Sequence, residues 1–178
     1  MCYTCVRECP AKAIRIIDGQ AEVIYDRCIG CGNCVKVCTR KVKNFRKTHT
    51  RVQHLLQSDK PSIALVAPSF PAEFNEFADY RTFVGLLKKT GFEQVVEVSF
   101  GADLVAKEYK AILTSDKNKR YISSDCPAII EYIKKYHPAL INNLAPVVSP
   151  VMALARVLKE KYHDKYNLVF IGPCIAKK

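Results

Sequence analysis

Cysteines are the residues in this 178-residue sequence whose type and spacing point most directly to chemistry. Four of the nine occur in the stretch CIGCGNCVKVC, at Cys28, Cys31, Cys34 and Cys38. Their spacing is C-x2-C-x2-C-x3-C, and four thiolates in such a series can surround a cubane cluster of iron and sulfide. The two glycines between them allow tight turns that bring backbone N–H groups close to a bound group. The run therefore predicts a metal centre ligated by cysteine.

A second cysteine run, CYTCVREC, repeats the first one. A shift of 29 residues places Cys2, Cys5 and Cys9 onto Cys31, Cys34 and Cys38. The same shift places the counterpart of Cys28 before Met1. The sequence thus contains an internal repeat whose first copy lacks its first cysteine.

The repeated runs, with CPAKAI after the first, resemble a two-cluster bacterial ferredoxin, although Thr39 stands where proline is usual. In that family the fourth cysteine of each run ligates the other cluster. The resemblance implies one 4Fe-4S cluster on Cys9, Cys28, Cys31 and Cys34. It implies a second on Cys2, Cys5 and Cys38, with one iron lacking a protein thiolate. Either that cluster is incomplete or the chain begins inside a longer protein, and we favour the longer protein.

Other uses of these thiols fit the sequence less well. Two C-x2-C pairs can form a tetrahedral zinc site, but zinc does not require three cysteines in series followed by a fourth. Disulfides are disfavoured because no export signal opens the sequence, which predicts a cytoplasmic, reducing location. The sequence contains no apolar run of about 18 residues, so it predicts no membrane span.

The formal net charge is +11, and the densest basic run is RKVKNFRKTHTR, Arg40 to Arg51. Such a run could contact nucleic acid or an acidic protein. No base-stacking motif or nucleic-acid-binding fold signature accompanies it. A solvated helix face is therefore the favoured interpretation, and nucleic-acid binding is disfavoured.

Hydrophobic patterning predicts the elements that position the cysteines. Two short strands around Asp18-Gly19 form a hairpin inside a small α+β domain of residues 1–48. A linker at 49–60 leads to an α/β domain at 61–178, whose helices cover a mostly parallel sheet. Strands are predicted at IALVAP, QVVEVSF, RYISSD and NLVFIGP, and helices at Phe74 to Leu87, ADLVAKEYKAIL, AIIEYIKKYHP and PVMALARVLKEKY.

The last two cysteines follow the predicted third and fourth strands, where parallel sheets place their ligands. Cys126 lies in SSDCPAI and Cys174 in IGPCIAKK. Each alone could be a small buried residue. Two cysteines at equivalent strand ends, each beside a proline, instead predict a shared metal site.

These segments resemble signatures of the iron-only (diiron) hydrogenase large subunit. SSDCP at Ser123 to Pro127 stands for the family's Thr-Ser-Cys-Cys-Pro, and GPCIAK at Gly172 to Lys177 stands for Met-Pro-Cys-x-x-Lys. VAPSF, FGADL and the pair Ser149-Pro150 are also similar to the family. The resemblance extends along nearly the whole chain.

The resemblance implies a role for each matching residue. Cys126 and Cys174 would be two of four thiolates on the active-site cluster, and Ser124, in the same signature as Cys126, would also bind that cofactor. Lys177 would donate a charge-assisted hydrogen bond to a cyanide of the diiron unit. Asp125 stands where the family has a proton-relaying cysteine, and a carboxylic acid needs burial to relay protons near neutral pH.

Two further departures accompany Asp125. Gly172 replaces the family's methionine near the diiron unit, and the sequence stops before the family's third cysteine signature. The active-site cluster is therefore expected only in a complete protein, and whether this chain acts as an enzyme is left open.

The sequence predicts an iron-sulfur redox protein similar to the N-terminal part of a divergent iron-only hydrogenase. Electron transfer would be coupled to reversible hydrogen oxidation in the complete protein. The alternatives are a non-catalytic hydrogen or redox sensor, a ferredoxin-type electron carrier, or a relative of eukaryotic iron-sulfur assembly proteins. The expected partner is a redox protein such as ferredoxin, or a signalling domain.

Overall fold

The computed structural model describes residues 2–74, 79–115 and 118–178. Five strands, eight α-helices and two 3-10 helices occur in these ranges. In chain order they are α1 Thr4–Arg7, β1 Ile14–Ile17, β2 Gln20–Val23, α2 Asn33–Lys36, α3 His49–Leu56, β3 Ser62–Val66, α4 Phe70–Glu73, α5 Tyr80–Lys89, β4 Gln94–Glu97, α6 Ser99–Ser115, α7 Pro127–Tyr136, the 3-10 helix Pro138–Asn143, α8 Pro150–Tyr162, β5 Asn167–Ile171 and the 3-10 turn Ile175–Lys177.

The chain forms two compact units that are not continuous in sequence. Unit 1 contains Met1–Arg46, Lys119–Pro146 and Cys174–Lys178, and unit 2 contains Lys47–Asn118 and Val147–Pro173. All nine cysteines belong to unit 1. The domain boundaries expected at residues 48 and 61 stay a prediction.

Unit 1 is built around the predicted hairpin. Strands β1 and β2 pair antiparallel, with Ile14 opposite Val23. Asp18 and Gly19 both have positive φ angles, as a two-residue hairpin turn of matching twist requires. Helix α7 packs against the core of this unit through Ala128, Tyr132 and Tyr136. The same core contains the buried Cys5 and Cys9.

Unit 2 contains a three-stranded parallel sheet in the order β4-β3-β5. The central strand β3 is buried along its whole length, as expected for a parallel strand covered on both faces. Ile63 and Leu65 pack on one face with Leu154 of α8. Ala64 and Val66 pack on the other face with Phe83 of α5, so the predicted α/β architecture is confirmed.

The strand predicted at RYISSD is wrong. Arg120 to Asp125 contains no strand, and its only ladder contact is an isolated bridge between Ile122 and Leu144. The hydroxyl of Ser123 donates to the carboxylate of Asp125 at 3.0 Å, and it also accepts from the Asp125 N–H at 3.5 Å. Such local bonds compete with sheet pairing. Cys126 therefore does not follow a sheet strand.

Two helix predictions also need correction. The basic run is exposed as predicted, but it becomes helical only at His49, because several like charges spaced three or four residues apart disfavour a helix. The helix predicted from Phe74 begins at Tyr80, and Phe74 instead follows α4. Phe77 lies outside the described residues. Phe83 and Leu87 lie on α5 as predicted.

Candidate metal centre

Four thiols of unit 1 line one small cavity, which we call the first cavity. They are those of Cys9, Cys28, Cys31 and Cys34, and the cavity has a volume of about 30 Å³. Burial raises the pKa of the Cys34 thiol, and the neighbouring Cys28 and Cys31 raise it further. These three sulfurs therefore share one electrostatic environment.

Backbone N–H groups are directed at the sulfurs of the first cavity. The Ala13 N–H donates to Cys9 Sγ at 3.3 Å, and the Gly30 N–H donates to Cys28 Sγ at 3.4 Å. Gly30 and Gly32 have φ angles of 69° and 78°, a conformation that side chains rarely adopt. Hydrogen bonds to sulfur are among the factors that set the potentials of iron-sulfur clusters. The donor set of four cysteines and two backbone N–H groups matches the chemistry of such a group.

Three other thiols line a second cavity of about 420 Å³. They are those of Cys2, Cys5 and Cys38, and Arg40 and Lys43 lie in the same wall. The backbone N–H of Lys43 is the largest cause of the lowered pKa of Cys38, and the N–H groups of residues 40–42 add to it. The pKa of Cys2 is lowered first by the backbone N–H of Thr4. This arrangement favours thiolates.

The last two cysteines lie at the starts of two short elements in unit 1. Cys126 is the N-cap residue of α7, and Cys174 is the N-cap residue of the 3-10 turn. These elements contact each other. Cys126 and Ala176 pack against the same apolar cluster as Cys28 and Cys34. The structure thus brings the elements that begin with Cys126 and Cys174 onto the cysteine-rich core.

The remaining predicted residues flank these cysteines. Asp125 has one carboxylate oxygen, Oδ1, that is buried without a hydrogen-bond partner in the described structure. Its other oxygen, Oδ2, accepts the Ser123 hydroxyl. Ser124 is partly buried beside it. Lys177 is partly buried at the end of the 3-10 turn, and its backbone N–H donates to the Cys174 carbonyl at 3.3 Å.

Several long-range contacts of this region gave no signal in the sequence. The Tyr136 hydroxyl donates to the carbonyls of Ala11 and Arg27, both at 2.8 Å. Lys135 Nζ donates to the carbonyl of Cys28. A Cβ added at Gly32 would lie 2.6 Å from Cδ1 of Ile175, which follows Cys174. Each contact joins residues more than 100 positions apart, beyond the reach of local patterning.

Unit 2 contains a cavity with a volume of about 510 Å³. It lies at the carboxyl ends of β3 and β5, where parallel sheets place ligands. Its walls are mainly apolar and include Ala67, Phe70 and Gly172.

Among the described residues, no three His, Cys, Asp or Glu side chains converge as a single metal ion requires. No described helix has the length and apolar character needed to cross a membrane.

Two family models match the chain. Residues 60–178 match the family described as iron only hydrogenase large subunit, C-terminal domain, and residues 1–42 match the 4Fe-4S dicluster domain. These matches, with the curated relatives described next, support iron-sulfur cofactors.

Curated relatives cover most of this chain. It is 27% identical over 176 residues to the NADP-reducing hydrogenase subunit HndD of Solidesulfovibrio fructosivorans, which covers 85% of the chain and 30% of that protein. It is 28% identical over 152 residues to iron hydrogenase 1 of Clostridium pasteurianum, covering 74% and 26%. The cytosolic Fe-S cluster assembly factor NAR1 of Yarrowia lipolytica is 25% identical over 180 residues, covering 89% and 36%.

The fold is also similar to that of a solved hydrogenase structure. It comes from work on FeFe-hydrogenase inactivation by oxygen at the 2Fe subcluster of the H cluster. The TM-score is 0.62 at 25% identity, over 74% of this chain and 39% of that one. The chain thus spans about a third or less of the two hydrogenases it matches in sequence, 30% and 26% of their lengths.

Proposed function

Since the chain belongs to the iron only hydrogenase large-subunit family, we propose that it transfers electrons through two 4Fe-4S clusters, coupled in the complete protein to reversible oxidation of hydrogen. That the chain is an iron-sulfur redox protein similar to parts of these hydrogenases rests on both family matches. The number of clusters, their ligands and the coupled reaction are the proposal. A cytoplasmic location belongs to it as well.

The distribution of thiols between the two cavities is the observation that carries the proposal. Cys9 shares the first cavity with Cys28, Cys31 and Cys34, although Cys5 is its nearest cysteine in sequence. Cys38 shares the second cavity with Cys2 and Cys5. The last cysteine of each run thus lines the cavity of the other run, which supports the exchange of ligands that is typical of two ferredoxin-type clusters.

This proposal assigns a role to each predicted site residue. The seven N-terminal cysteines hold the two clusters, and Cys126 and Cys174 hold part of the active-site cluster. When bound, these groups supply one-electron storage and the site of hydrogen chemistry. Lys177 directs a positive charge toward the active-site group. Asp125 would relay protons beside Cys126, since its Oδ1 atom has no hydrogen-bond partner in the described structure.

Paired cysteine substitutions test this division. Loss of one ligand destabilises one cluster, so we expect Cys9→Ser and Cys31→Ser each to reduce bound iron by about four atoms at most. The double variant Cys9→Ser/Cys31→Ser should lose no more than either single variant. Cys5→Ser/Cys9→Ser should lose the iron of both clusters. The measurement is anaerobic iron and sulfide analysis with EPR of the reconstituted, reduced chain.

Cys174→Ser is the matched control, because it should leave the iron of both ferredoxin-like clusters unchanged. Zinc bound in place of iron would overturn the proposal. Equal losses in the two double variants would show that the cysteines are not divided between two clusters as proposed.

A second candidate is a non-catalytic protein that senses hydrogen or redox state. Asp125 in place of the family's relay cysteine favours it. The similarity to NAR1 is consistent with a separate alternative, a role in iron-sulfur cluster assembly. The discriminating measurement is hydrogen turnover of the matured complete protein. Turnover of about 1 to 1,000 per second, the usual enzyme range, would support the catalyst. Turnover far below that range, with the clusters loaded, would support the sensor.

We further propose an acidic redox protein such as a ferredoxin as the electron partner. Arg40 and Lys43 line the second cavity, and Lys41 and Arg46 are exposed on the same basic segment. An opposite charge on the partner would increase the rate of encounter at this cavity. A signalling domain would take this place if the protein is a sensor.

A further inference from the structure

The last turn of α7 forms hydrogen bonds with the segment Tyr25 to Cys28, which we call the cysteine loop of the first cavity. Lys135 Nζ donates to the carbonyl of Cys28 at 2.7 Å and to that of Tyr25 at 3.2 Å. Next to it, Tyr136 bonds the carbonyls of Ala11 and Arg27, which lie beside the two ligand runs. A positive charge from a distant part of the sequence is thereby fixed on the backbone of a predicted cluster ligand.

Lys135 is held there more firmly than its neighbour in the same helix. Its side chain is 26% exposed, while that of Lys134 is 54% exposed. Both ammonium groups lie 3.6 Å from the carboxylate of Glu131, but only Lys135 also bonds the cysteine loop. The two lysines thus provide nearly the same charge on the same helix turn in different contact with the loop.

The position of Lys135 along α7 decides which site it affects. It lies nine positions after Cys126, which at about 1.5 Å per helical residue places the two Cα atoms roughly 13 Å apart along the axis. Its ammonium is within hydrogen-bond distance of the Cys28 carbonyl. Coulomb energy falls with distance, so the charge acts mainly on the group held by Cys28.

Two nearby groups partly offset the positive charge of Lys135. Glu131 lies beside it, and the negative end of the α7 dipole lies in the same turn. Glu131 is 41% exposed and therefore screened by water, while Lys135 is more buried. A net positive influence remains on the cysteine loop.

We infer that Lys135 is a positioning residue that raises the reduction potential of the cluster held by Cys9, Cys28, Cys31 and Cys34. This inference rests on the proposed function. The added electron makes the cluster more negative, and the fixed ammonium stabilises that reduced state. The electron would then be favoured on the cluster whose proposed ligands are Cys9, Cys28, Cys31 and Cys34.

The test is an EPR-monitored redox titration of the reconstituted full chain. Lys135→Met should lower the midpoint, so that the oxidised-to-reduced ratio at a fixed potential rises about three- to tenfold, where tenfold equals about 59 mV for one electron. Lys135→Arg should stay within about twofold of the original chain, because it keeps the charge. Lys134→Met, the matched control, should also stay within about twofold.

Glu131→Gln provides a second route if Lys135→Met does not assemble its cluster. It keeps Lys135 and removes the opposing charge, so the midpoint should move in the opposite direction, upward. Equal shifts in Lys134→Met and Lys135→Met, or no shift in Lys135→Met and Glu131→Gln, would overturn the inference alone. An original chain that binds no iron-sulfur cluster would overturn the proposed function and the inference with it.

Discussion

At the scale of single residues, Asp125 combines two opposing electrostatic effects. Its charge precedes the N-terminus of α7, which favours an anion by about 0.3–1 kcal/mol. Its Oδ1 atom is buried without a partner, which costs about 1–3 kcal/mol. At the middle of these two ranges the burial cost exceeds the gain from the helix, so we expect the carboxylate to lower the stability of the fold. A residue kept at such a cost fits a role in proton transfer.

The prediction from this balance is that Asp125→Asn increases the free energy of unfolding. The amide retains an oxygen for the Ser123 hydroxyl and removes the buried charge, so a gain of about 1 kcal/mol is expected. Urea unfolding of the reconstituted chain measures it. Asp103→Asn, at an exposed position of α6, should change stability by less than about 0.5 kcal/mol. A loss of stability in Asp125→Asn would show that the charge supports the fold.

At this scale the sequence predicted how the cysteines are grouped, but it did not predict the contacts of other residues with them. The resemblance to two-cluster ferredoxins implied that Cys9 would join the group of Cys28, and in the structure both residues line one cavity. The ligand assignments themselves stay predictions. Lys135 could not be predicted, because its partners are carbonyl groups, which every residue carries, on a loop more than 100 positions away.

At the scale of elements, helices α6 and α8 approach each other at Gly101. A Cβ added there would lie 2.1 Å from the carbonyl oxygen of Pro150 and 3.1 Å from Cβ of Leu154. The nearest obstacle is backbone, which cannot move as a side-chain tip can. The close packing of these two helices therefore depends on a glycine.

Gly101→Ala should accordingly destabilise the chain by about 2 kcal/mol or more, within or above the usual cost of overpacking. Gly85→Ala in α5 is the matched control, because an added Cβ there meets no atom within 4 Å. Its higher helix propensity should stabilise the chain by about 0.5–1 kcal/mol. The measurement is the shift in denaturation midpoint of each variant. Shifts of the same sign would contradict this account.

Elements were predictable where local signals agreed with the pattern of burial. Asp18-Gly19 marked the hairpin, and the apolar run of β3 marked the central strand. RYISSD failed because its Ser and Asp side chains bond locally, which the apolar pattern does not reveal. The first part of the basic run is not helical for two reasons: its like charges disfavour a helix, and its first backbone N–H groups interact with the sulfur of Cys38. Both errors lie next to predicted ligands, where local bonds to the site replace regular structure.

At the scale of the whole molecule, the net charge of +11 raises the question of whether total charge or local charge attracts a partner. The basic segment beside the second cavity includes the exposed Lys41 and Arg46. Another exposed basic pair, Lys88 and Lys89, ends helix α5 in unit 2. Replacing either pair with glutamine removes the same formal charge, so the two double variants separate the two effects.

We expect Lys41→Gln/Arg46→Gln to slow electron transfer to an acidic ferredoxin about three- to tenfold at low salt, because local charge steers the encounter. Lys88→Gln/Lys89→Gln should slow it less than about twofold. At about 1 M salt the Debye length falls to about 3 Å, and the two variants should then have the same rate. Stopped-flow measurement over a salt series gives both comparisons. Equal slowing by the two variants at low salt would assign the effect to total charge, and rates independent of salt would exclude electrostatic steering of this partner.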